Sequence, residues 1–368
     1  MKTMLSFLTR DWEIKLRPSS RPEILVVEVA TTCNLNCIHC FRKSAYNMKP
    51  CVMNLEVFEK LLDNALDAGV SKIVFSGWGE PFTNPHIRHM IKFCKNLGLK
   101  VAVNTNGTLI EKFFDIVVEC VDELYLSLDA ATVRTYSSVR RSTAFNEVVG
   151  SLVKLVNNKR VRGSLKPVVK AIFTITRINM NEVSEFLELV SKIGINEAVF
   201  THTIPHSQLM HAECVDFEKC IEEFHFKLKD ALSSIKELGV TVTAPRKLGS
   251  TPLSCPFAEK RALFIRCDGA IAPCIYYAYT WSPRILSITR TIKEVVLGDV
   301  SRDKLIEVWR NAYSKMLFKL YFKKMPSCLT CTLVNYCSRT RSNEADCLGN
   351  APTCGQCPYL HGLAFCPL

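Results

Sequence analysis

Residues 24–40 read ILVVEVATTCNLNCIHC, an apolar stretch typical of a buried strand that runs directly into three closely spaced cysteines. Further β-branched apolar stretches follow at residues 73–75, 101–103, 124–128, 168–175 and 198–200. Between them, apolar spacing and capping signals predict helices, for example over 55–68 behind Asn54 and over 181–194. Strands that alternate with helices favour a parallel sheet with right-handed crossovers, either doubly wound or curled toward a barrel. In both cases the functional site lies at the carboxyl ends of the strands.

The length and composition of the chain limit the possible architectures. It has 368 residues, of which 48% are hydrophobic and 22% charged. These figures exclude a short peptide module and a largely disordered chain, and they favour a large domain joined to a smaller one. The βα pattern gives way to cysteine-rich loops after Pro245. We therefore predict an N-terminal segment over 1–22, a barrel-like domain over 23–247 and a cysteine-rich domain over 248–368.

Charge and hydropathy indicate the compartment and the partners. The chain carries 47 Lys and Arg against 35 Asp and Glu, and the net charge of +12 suggests an anionic partner. Because no basic stripe is interleaved with aromatic residues, we expect no nucleic-acid partner. Arg10 and Asp11 interrupt the N-terminal apolar stretch, and no uncharged apolar run approaches the ~20 residues that span a bilayer. We expect a cytoplasmic protein that does not bind membranes, whose many cysteines are metal ligands before they are disulfides.

The first cysteine group, Cys33, Cys37 and Cys40, lies in the loop after the first predicted strand. Three thiolates hold three corners of a 4Fe-4S cluster, so that one iron stays open to a substrate or cofactor. A structural zinc site is an alternative, but it needs a fourth ligand, and His39 is wedged too tightly beside Cys40 to serve easily. A third interpretation, buried free cysteines, explains neither the spacing nor the position in a βα loop.

This CxxxCxxC loop resembles that of the radical S-adenosylmethionine (SAM) enzymes, and residues 22–245 are similar to their partial (β/α)6 TIM-like barrel. The resemblance implies that the amino and carboxylate groups of SAM chelate the open iron. An electron from the cluster then cleaves SAM to methionine and a 5′-deoxyadenosyl radical, while the protein positions the reactants and excludes water. The residue before the third cysteine is usually aromatic in this family and packs near adenine, and His39 occupies that place here.

The segment after the second strand, Ser76-Gly77-Trp78-Gly79-Glu80-Pro81, resembles the GGEP-type motif of the same family. The resemblance implies that Gly77 and Gly79 allow close approach of the backbone and that Glu80 meets the SAM amino group. Taken alone, such a glycine-rich turn is an ordinary loop.

The fourth strand ends in Ser127-Leu128-Asp129, which is similar to the family's SLD-type strand end. By that likeness Ser127 contacts the ribose or methionyl part of SAM, and Arg140 contacts its carboxylate. Arg141 stands beside Arg140, and without the family a surface salt bridge is an equally good interpretation of Arg140. Asn104 and Asn106, at the end of the third strand, are more often turn residues than ligands.

The C-terminal cysteines form two spaced groups: Cys255 and Cys274 flank Gly269, and Cys328, Cys331 and Cys337 follow a CxxCx5C pattern. Together they resemble the SPASM/twitch-like extension of radical SAM maturases, which implies two auxiliary 4Fe-4S clusters, one for each group. Arg341 stands where that extension has a further cysteine. Later cysteines supply enough ligands in an unfamiliar order, and the completing ligands stay open among Cys347, Cys354, Cys357 and Cys366. Cys267 could also join the first group.

Other interpretations of the cysteines remain. CxxC pairs such as Cys328/Cys331 and Cys354/Cys357 also suit zinc ribbons, and the iron content would decide between the two metals. Other cysteines lie in helical or apolar surroundings and are expected to be core residues, namely Cys94, Cys120, Cys214 and Cys220.

The cysteine-rich tail from Ser342 to Pro367, together with the Gly-Trp-Gly-Glu-Pro loop, resembles the maturases of tungsten-containing aldehyde ferredoxin oxidoreductases. This resemblance implies modification of the tungstopterin cofactor, or of the polypeptide that carries it, with a low-potential electron donor such as ferredoxin. One alternative is a SPASM peptide maturase that oxidises or cross-links a ribosomally made peptide. From a different class, the chain could be a non-catalytic iron-sulfur electron carrier or a zinc-binding scaffold.

Overall fold

The computed structural model describes residues 5–8, 10–16, 21–206, 217–235, 239–249, 253–313, 316, 324–366 and 368. The chain enters through a short antiparallel hairpin of strands β1 (Leu5–Leu8) and β2 (Glu13–Leu16). The sequence also predicts a long amphipathic stretch over about 211–238, and part of it lies outside the described residues, as does Cys214.

Six parallel strands form the centre of the fold, and the six strands predicted from the sequence are confirmed. They are β3 (Ile24–Val27), β4 (Lys72–Phe75), β5 (Lys100–Thr105), β6 (Glu123–Ser127), β7 (Val168–Ile175) and β8 (Glu197–His202). Each strand pairs in parallel with the next one along the chain. Sequential parallel pairing with helical crossovers gives the predicted partial (β/α)6 TIM-like barrel.

Helices connect the strands: α1 (Leu55–Ala68), α2 (Ile87–Asn96), α3 (Phe114–Cys120), α4 (Val133–Arg140), α5 (Phe145–Val161), α6 (Val183–Ile193) and α7 (Phe217–Ser234). The predicted start of α1 is confirmed, because the Asn54 side chain accepts a hydrogen bond from the Val57 amide. At the end of α6, Gly194 adopts the left-handed conformation that ends many helices. No described helix combines the length and apolar character needed to cross a membrane.

The C-terminal part continues the same sheet. Strand β9 (Thr241–Thr243) pairs with β8, and β10 (Ala262–Ile265) pairs in parallel with β3. Its other elements are α8 (Pro256–Glu259), β11 (Ala270–Ala272), β12 (Arg284–Ile285), β13 (Ile288–Thr289), β14 (Gly298–Asp299) and α9 (Leu305–Val308). The resulting ten-stranded sheet, β14-β11-β10-β3-β4-β5-β6-β7-β8-β9, crosses the domain boundary predicted near residue 247.

The sheet is buried on both faces. One face packs against the helices, and the other presents a residue from each central strand, including Val26, Tyr125 and Val199, to residues of the C-terminal part. Trp281, Tyr276 and other aromatic residues of that part fill this second core. Both faces exclude water, which is usual for a parallel sheet.

Candidate active site

The loop after β3 carries Cys33, Cys37 and Cys40 as free thiols at the carboxyl end of the sheet. Two of the sulfurs accept hydrogen bonds from neighbouring segments: Asn106 Nδ2 lies 3.8 Å from Cys33 Sγ, and Arg140 Nη1, at the end of α4, lies 3.5 Å from Cys37 Sγ. Burial raises the pKa of the Cys33 and Cys40 thiols. Thiolates therefore form here when a metal centre supplies positive charge, and the two donors add to that stabilisation.

Arg140 is buried and ties the cysteine loop to the strand-end segment predicted to hold SAM. Its Nε lies 2.8 Å from Asp129 Oδ2, and another of its N–H groups donates to the Ser127 carbonyl oxygen. The Thr174 amide donates to Asp129 Oδ1 at 2.6 Å. Arg141, by contrast, is exposed. The structure thus places Arg140 at the site and Arg141 outside it, while the guanidinium of Arg140 is engaged by groups of this chain.

The loop after β4 packs closely on the cysteine loop, as its glycines require. A Cβ atom on Gly79 would lie 2.3 Å from the Ala30 carbonyl oxygen, and one on Gly77 would lie 2.5 Å from Glu28 Cγ. The Glu80 carboxylate accepts three hydrogen bonds, from the Asn106 amide at 2.7 Å, the Thr105 hydroxyl at 2.8 Å and the Phe82 amide at 3.2 Å. Glu80 therefore joins the loops after β4 and β5, and contact between its carboxylate and SAM stays a prediction.

A cavity of about 180 Å³ opens beside this loop at the carboxyl ends of the strands. Predicted residues His39, Gly77 and Ser127 line it. The lining residues that sequence reasoning did not place at the site include Phe41, Asn104, Thr174, His202, Thr203, Ile275, Tyr359, Ala364 and Phe365. Thr174 and His202 lie near the carboxyl ends of β7 and β8, so the predicted strand ends could have identified them as site residues. Tyr359 and Phe365 come from a distant segment without periodicity, so no sequence pattern could have placed them at the site.

Two buried polar atoms on the wall of this cavity have no hydrogen-bond partner among the described residues, the Nδ1 of His39 and the Oδ1 of Asn104. Buried polar groups are nearly always paired, so these atoms fit a polar ligand in the cavity. His39 Nε2 lies 3.5 Å from Asp129 Oδ2. Burial lowers the pKa of His39 to about 4, so the imidazole is neutral near pH 7 and offers Nδ1 as a donor or acceptor.

Five cysteines line one small cavity between the sheet and the C-terminal segment: Cys255, Cys274, Cys354, Cys357 and Cys366. Phe257, Tyr276 and Leu360 supply apolar walls. The structure thus brings the two cysteines of the first predicted group together with three of the four left open. We call this set the inner thiol cage. Ile275 and Tyr359 line both the inner thiol cage and the cavity at the carboxyl ends of the strands, so the two spaces share a wall.

A second set consists of Cys328, Cys331, Cys337 and Cys347. Burial, followed by the Asp346 carboxylate and the thiols of Cys347, Cys337 and Cys331, raises the pKa of Cys328 to about 12, so these groups are close neighbours. Asp346 has a structural role, since its carboxylate accepts the amides of Leu348 and Asn350 at 2.8 and 3.0 Å. Within the described ranges no three His, Cys, Asp or Glu side chains converge on a single-ion site. We call this set the outer thiol set.

The remaining cysteines that the structure describes are not at these sites. The expectation that Cys267 could join the first auxiliary group is wrong, because its sulfur is bonded to that of Cys51 in a disulfide that links the cysteine loop's end to the β10–β11 turn. Cys94 is buried in the hydrophobic core, and the partly buried Cys120 packs against the same core. Cys220 is also buried and is disulfide-bonded.

Comparison with known families agrees with this arrangement. Residues 27–190 match the radical SAM superfamily, and residues 255–332 match the SPASM iron-sulfur cluster-binding domain. The chain carries a radical SAM domain followed by a SPASM domain. It is therefore an enzyme of the radical SAM class, whose cofactors are SAM, a 4Fe-4S cluster in the radical SAM domain and auxiliary iron-sulfur clusters in the SPASM domain.

Two curated relatives illustrate the range of similarity. A protein of Pyrococcus furiosus named tungsten-containing aldehyde ferredoxin oxidoreductase cofactor-modifying protein is 25% identical over 359 residues, which cover 94% of this chain and 97% of the relative. An AdoMet-dependent heme synthase of Methanosarcina barkeri is 23% identical over 229 residues, which cover 59% of this chain and 62% of the relative.

Solved structures share the fold at low sequence identity. SuiB of Streptococcus suis bound to S-adenosylmethionine has a TM-score of 0.61 at 17% identity, with 86% of this chain and 72% of that chain covered. The enzyme anSMEcpe with bound AdoMet has a TM-score of 0.63 at 17% identity, with 92% of this chain and 90% of that chain covered.

The residues present fit the cofactors of a radical SAM enzyme. Cys33, Cys37 and Cys40 are three free thiols that would hold the SAM cluster, and the lining atoms of His39 and Asn104 have no hydrogen-bond partner among the described residues. When bound, the cluster would supply an electron for the reductive cleavage of SAM. Arg140 and Asp129 tie the cysteine loop to the end of β6, and the C-terminal segment forms part of the wall of the cavity.

Proposed function

We propose that this radical SAM enzyme is a maturase that modifies the tungstopterin cofactor, or the polypeptide, of a tungsten-containing aldehyde ferredoxin oxidoreductase. The observation that carries the proposal is the length of the similarity to the Pyrococcus furiosus cofactor-modifying protein, which spans 94% of this chain and 97% of that protein. The heme synthase relative covers only 59% of this chain. A match of this length extends well beyond residues 27–190 of the radical SAM domain.

The architecture is consistent with a maturase. The cavity at the carboxyl ends of the strands is bounded on one side by Tyr359, Ala364 and Phe365, so its specificity depends on the C-terminal part as well as on the barrel. The net charge of +12 favours an anionic substrate such as a pterin cofactor. We place the enzyme in the cytoplasm, with a low-potential electron donor such as ferredoxin.

In this proposal the predicted site residues have separate roles. Cys33, Cys37 and Cys40 hold the SAM cluster, and His39, Ser127 and Arg140 position SAM. Cys255, Cys274, Cys354 and Cys357 belong to the inner auxiliary site, where Cys366 is a fifth thiol. The ligands of the second auxiliary cluster are Cys328, Cys331, Cys337 and Cys347.

The test is a gene deletion in the host, followed by an assay of its tungsten aldehyde oxidoreductase and mass measurement of the extracted pterin. We expect activity to fall while tungsten and protein remain, with a changed mass of the pterin or of the polypeptide. Complementation by Cys120→Ala should restore activity, whereas the triple variant Cys33→Ala/Cys37→Ala/Cys40→Ala should not. Unchanged activity and mass in the deletion strain would contradict the proposal and direct attention to peptide substrates encoded nearby.

A further inference from the structure

The outer thiol set lies at the surface of the C-terminal part. Cys331 and Cys347 are exposed, Cys337 is half-buried and Cys328 is buried. Free cysteines are usually among the most buried residues of a protein. Two exposed thiols in one set therefore place that set where a second macromolecule can reach it.

Three large apolar side chains are exposed around these thiols. Tyr336 is 89% exposed, Leu333 is 64% exposed and Leu348 is 62% exposed. The Tyr336 amide donates to the Leu333 carbonyl oxygen at 3.0 Å, and Leu348 directly follows Cys347, so all three stay close to the set. Single exposed apolar residues are ordinary on a protein surface, whereas a group of them is typical of a contact site.

The free charges beside these residues are positive. Arg339 and Arg341 are exposed, and neither forms an ion pair within the part of the chain that the structure describes. Each guanidinium bonds instead to a backbone carbonyl oxygen nearby, at 3.3 and 3.5 Å. Of the neighbouring acids, Asp346 is buried and Glu344 is paired with Lys293. This surface therefore suits an acidic partner.

Iron bound at the outer thiol set makes the two arginines more important for such a partner. Four thiolates on a 4Fe-4S cluster in its 2+ state leave a charge of about −2, which the arginines offset. Acidic residues in their place would leave a surface that repels an anionic protein. We call this surface the outer face, and it is formed by Leu333, Tyr336, Arg339, Arg341 and Leu348.

The outer thiol set is in direct contact with the inner thiol cage. The Cys328 amide donates to the Gly355 carbonyl oxygen at 2.9 Å, and a Cβ atom on Gly355 would lie 2.6 Å from Cys328 Sγ. Gly355 lies between Cys354 and Cys357 of the cage. Because the cage shares a wall with the cavity at the carboxyl ends of the strands, three neighbouring sites run from the outer face to the radical SAM site.

We propose that the outer face is the docking surface for an acidic protein that carries single electrons at low potential. In the docked complex one electron passes from the reduced carrier, which is thereby oxidised, to iron held by the outer thiol set, and no covalent bond forms or breaks. The inference rests on the proposed function, in which this set holds the second auxiliary cluster. It does not depend on which substrate the enzyme modifies.

Cross-linking of the anaerobically reconstituted wild-type holoprotein tests the docking site without any variant. The probe is a purified acidic ferredoxin, coupled by a carbodiimide that joins carboxylates to lysines and read by peptide mapping. Lys324 is exposed, and its carbonyl oxygen accepts the side chain of Asn350, three residues after Cys347. We expect coupling at Lys324 that is lost at high salt. Coupling instead at Lys43 or Lys49 beside the SAM cysteines, coupling between two copies of this chain, or no coupling would overturn the proposal.

Charge reversal gives a second readout. Arg339→Glu/Arg341→Glu should weaken binding of the same ferredoxin about 10-fold or more at low salt, because opposite charges steer and hold the pair. The control Lys100→Glu/Arg162→Glu makes the same change in net charge at two exposed residues, one at the start of β5 and one after α5, and should change binding less than about twofold. Anaerobic titration calorimetry compares them. Equal affinities of the two double variants would overturn the proposal.

The apolar part of the outer face is tested without a change in charge. Tyr336→Ala should weaken ferredoxin binding about 5- to 10-fold, since exposed tyrosines often anchor interfaces, whereas Leu165→Ala, at 86% exposure after α5, should not. Iron analysis separates two failures. Cys331→Ser should lose about 4 of about 12 iron atoms, and full iron there would refute the cluster assignment itself. Full iron with unchanged ferredoxin affinity in the outer-face variants would refute the docking surface alone.

Discussion

Asp129 is the residue on which the geometry of the SAM loop depends most. It is fully buried and contacts Arg140, His39 and the Thr174 amide at the same time. Its backbone is left-handed, with φ of 60°, a conformation that Asn also tolerates. The substitution Asp129→Asn therefore changes the charge without adding backbone strain.

We expect Asp129→Asn to destabilise the protein by about 3 kcal/mol, because it leaves the buried guanidinium of Arg140 without its anion. Iron bound at the SAM loop should fall as well. The control is Asp115→Asn, which makes the same change in an exposed pair with Arg88 and should cost no more than about 1 kcal/mol. Urea denaturation measures the free energy of unfolding of both variants. Equal losses of stability in the two variants would contradict the role of Asp129 as the anion that pairs with Arg140.

Glu28 predicts a pH dependence of stability. Burial raises the pKa of its carboxyl to about 7, although the Tyr279 hydroxyl and the Trp78 amide donate to it. The folded state then binds a proton that the unfolded state releases near pH 4.5, so stability falls as pH rises from about 4.5 to 7. Glu28→Gln should remove up to about 3 kcal/mol of that fall. Parallel stability curves for wild type and variant between pH 5 and 8 would exclude the effect.

The sequence predicted which residue types lie near the SAM loop, but it did not show which way each side chain points. Arg140 and Arg141 are chemically identical in the sequence, and only the end of α4 decides which of them is buried. The sequence predicts that Glu80 contacts SAM. It does not show that the carboxylate already accepts hydrogen bonds from this chain, because those donors belong to the neighbouring segment at the end of β5. Such contacts arise between segments that no local pattern connects.

The loop after β4 leaves no room for a side chain larger than that of glycine at position 79. Gly79→Ala should destabilise by about 1–3 kcal/mol and reduce iron at the SAM loop, because its new methyl group overlaps the Ala30 and Thr32 carbonyl oxygens. Gly150→Ala is the matched control, since Gly150 lies in helix α5 with no atom near a new Cβ. That change should stabilise the protein by about 0.5–1 kcal/mol. Thermal unfolding distinguishes them, and a neutral Gly79→Ala would refute the close contact.

The C-terminal segment forms part of the cavity wall, and Phe365 tests its role. Phe365→Ala removes an aromatic ring that lines the cavity and lies 6.1 Å from the ring of Tyr125. We expect SAM binding to weaken roughly 10-fold, a loss of about 1.4 kcal/mol. Phe226→Ala, on the exposed face of α7, should leave binding unchanged. Equilibrium dialysis with labelled SAM compares them, and equal affinities would show that this segment is not part of the site.

The predictability of the elements followed their periodicity. The six central strands were visible because each is a β-branched apolar run between helix signals, which is usual for a sheet buried on both faces. The continuation of that sheet was not visible, because β9 has only three residues and β10 pairs with β3, which lies far away in the chain. The grouping of Cys354, Cys357 and Cys366 with Cys255 and Cys274 likewise depends on tertiary contacts alone.

At the scale of the whole molecule, the radical SAM and SPASM domains are joined by more than a linker. They share one sheet through the pairing of β3 with β10. The Cys51–Cys267 disulfide adds a covalent link across 216 residues. The inner thiol cage and the radical SAM cavity meet at Ile275 and Tyr359.

Release of 5′-deoxyadenosine by anaerobically reconstituted protein, given SAM and a strong reductant, tests most directly whether Cys33, Cys37 and Cys40 hold a cluster that cleaves SAM. We expect release by the wild type, release by the Cys120→Ala control, and none from the triple variant Cys33→Ala/Cys37→Ala/Cys40→Ala. We also expect about 4 fewer iron atoms in the triple variant than in the wild type. No release from the wild type, or equal release from the triple variant, would show that these cysteines do not have this role.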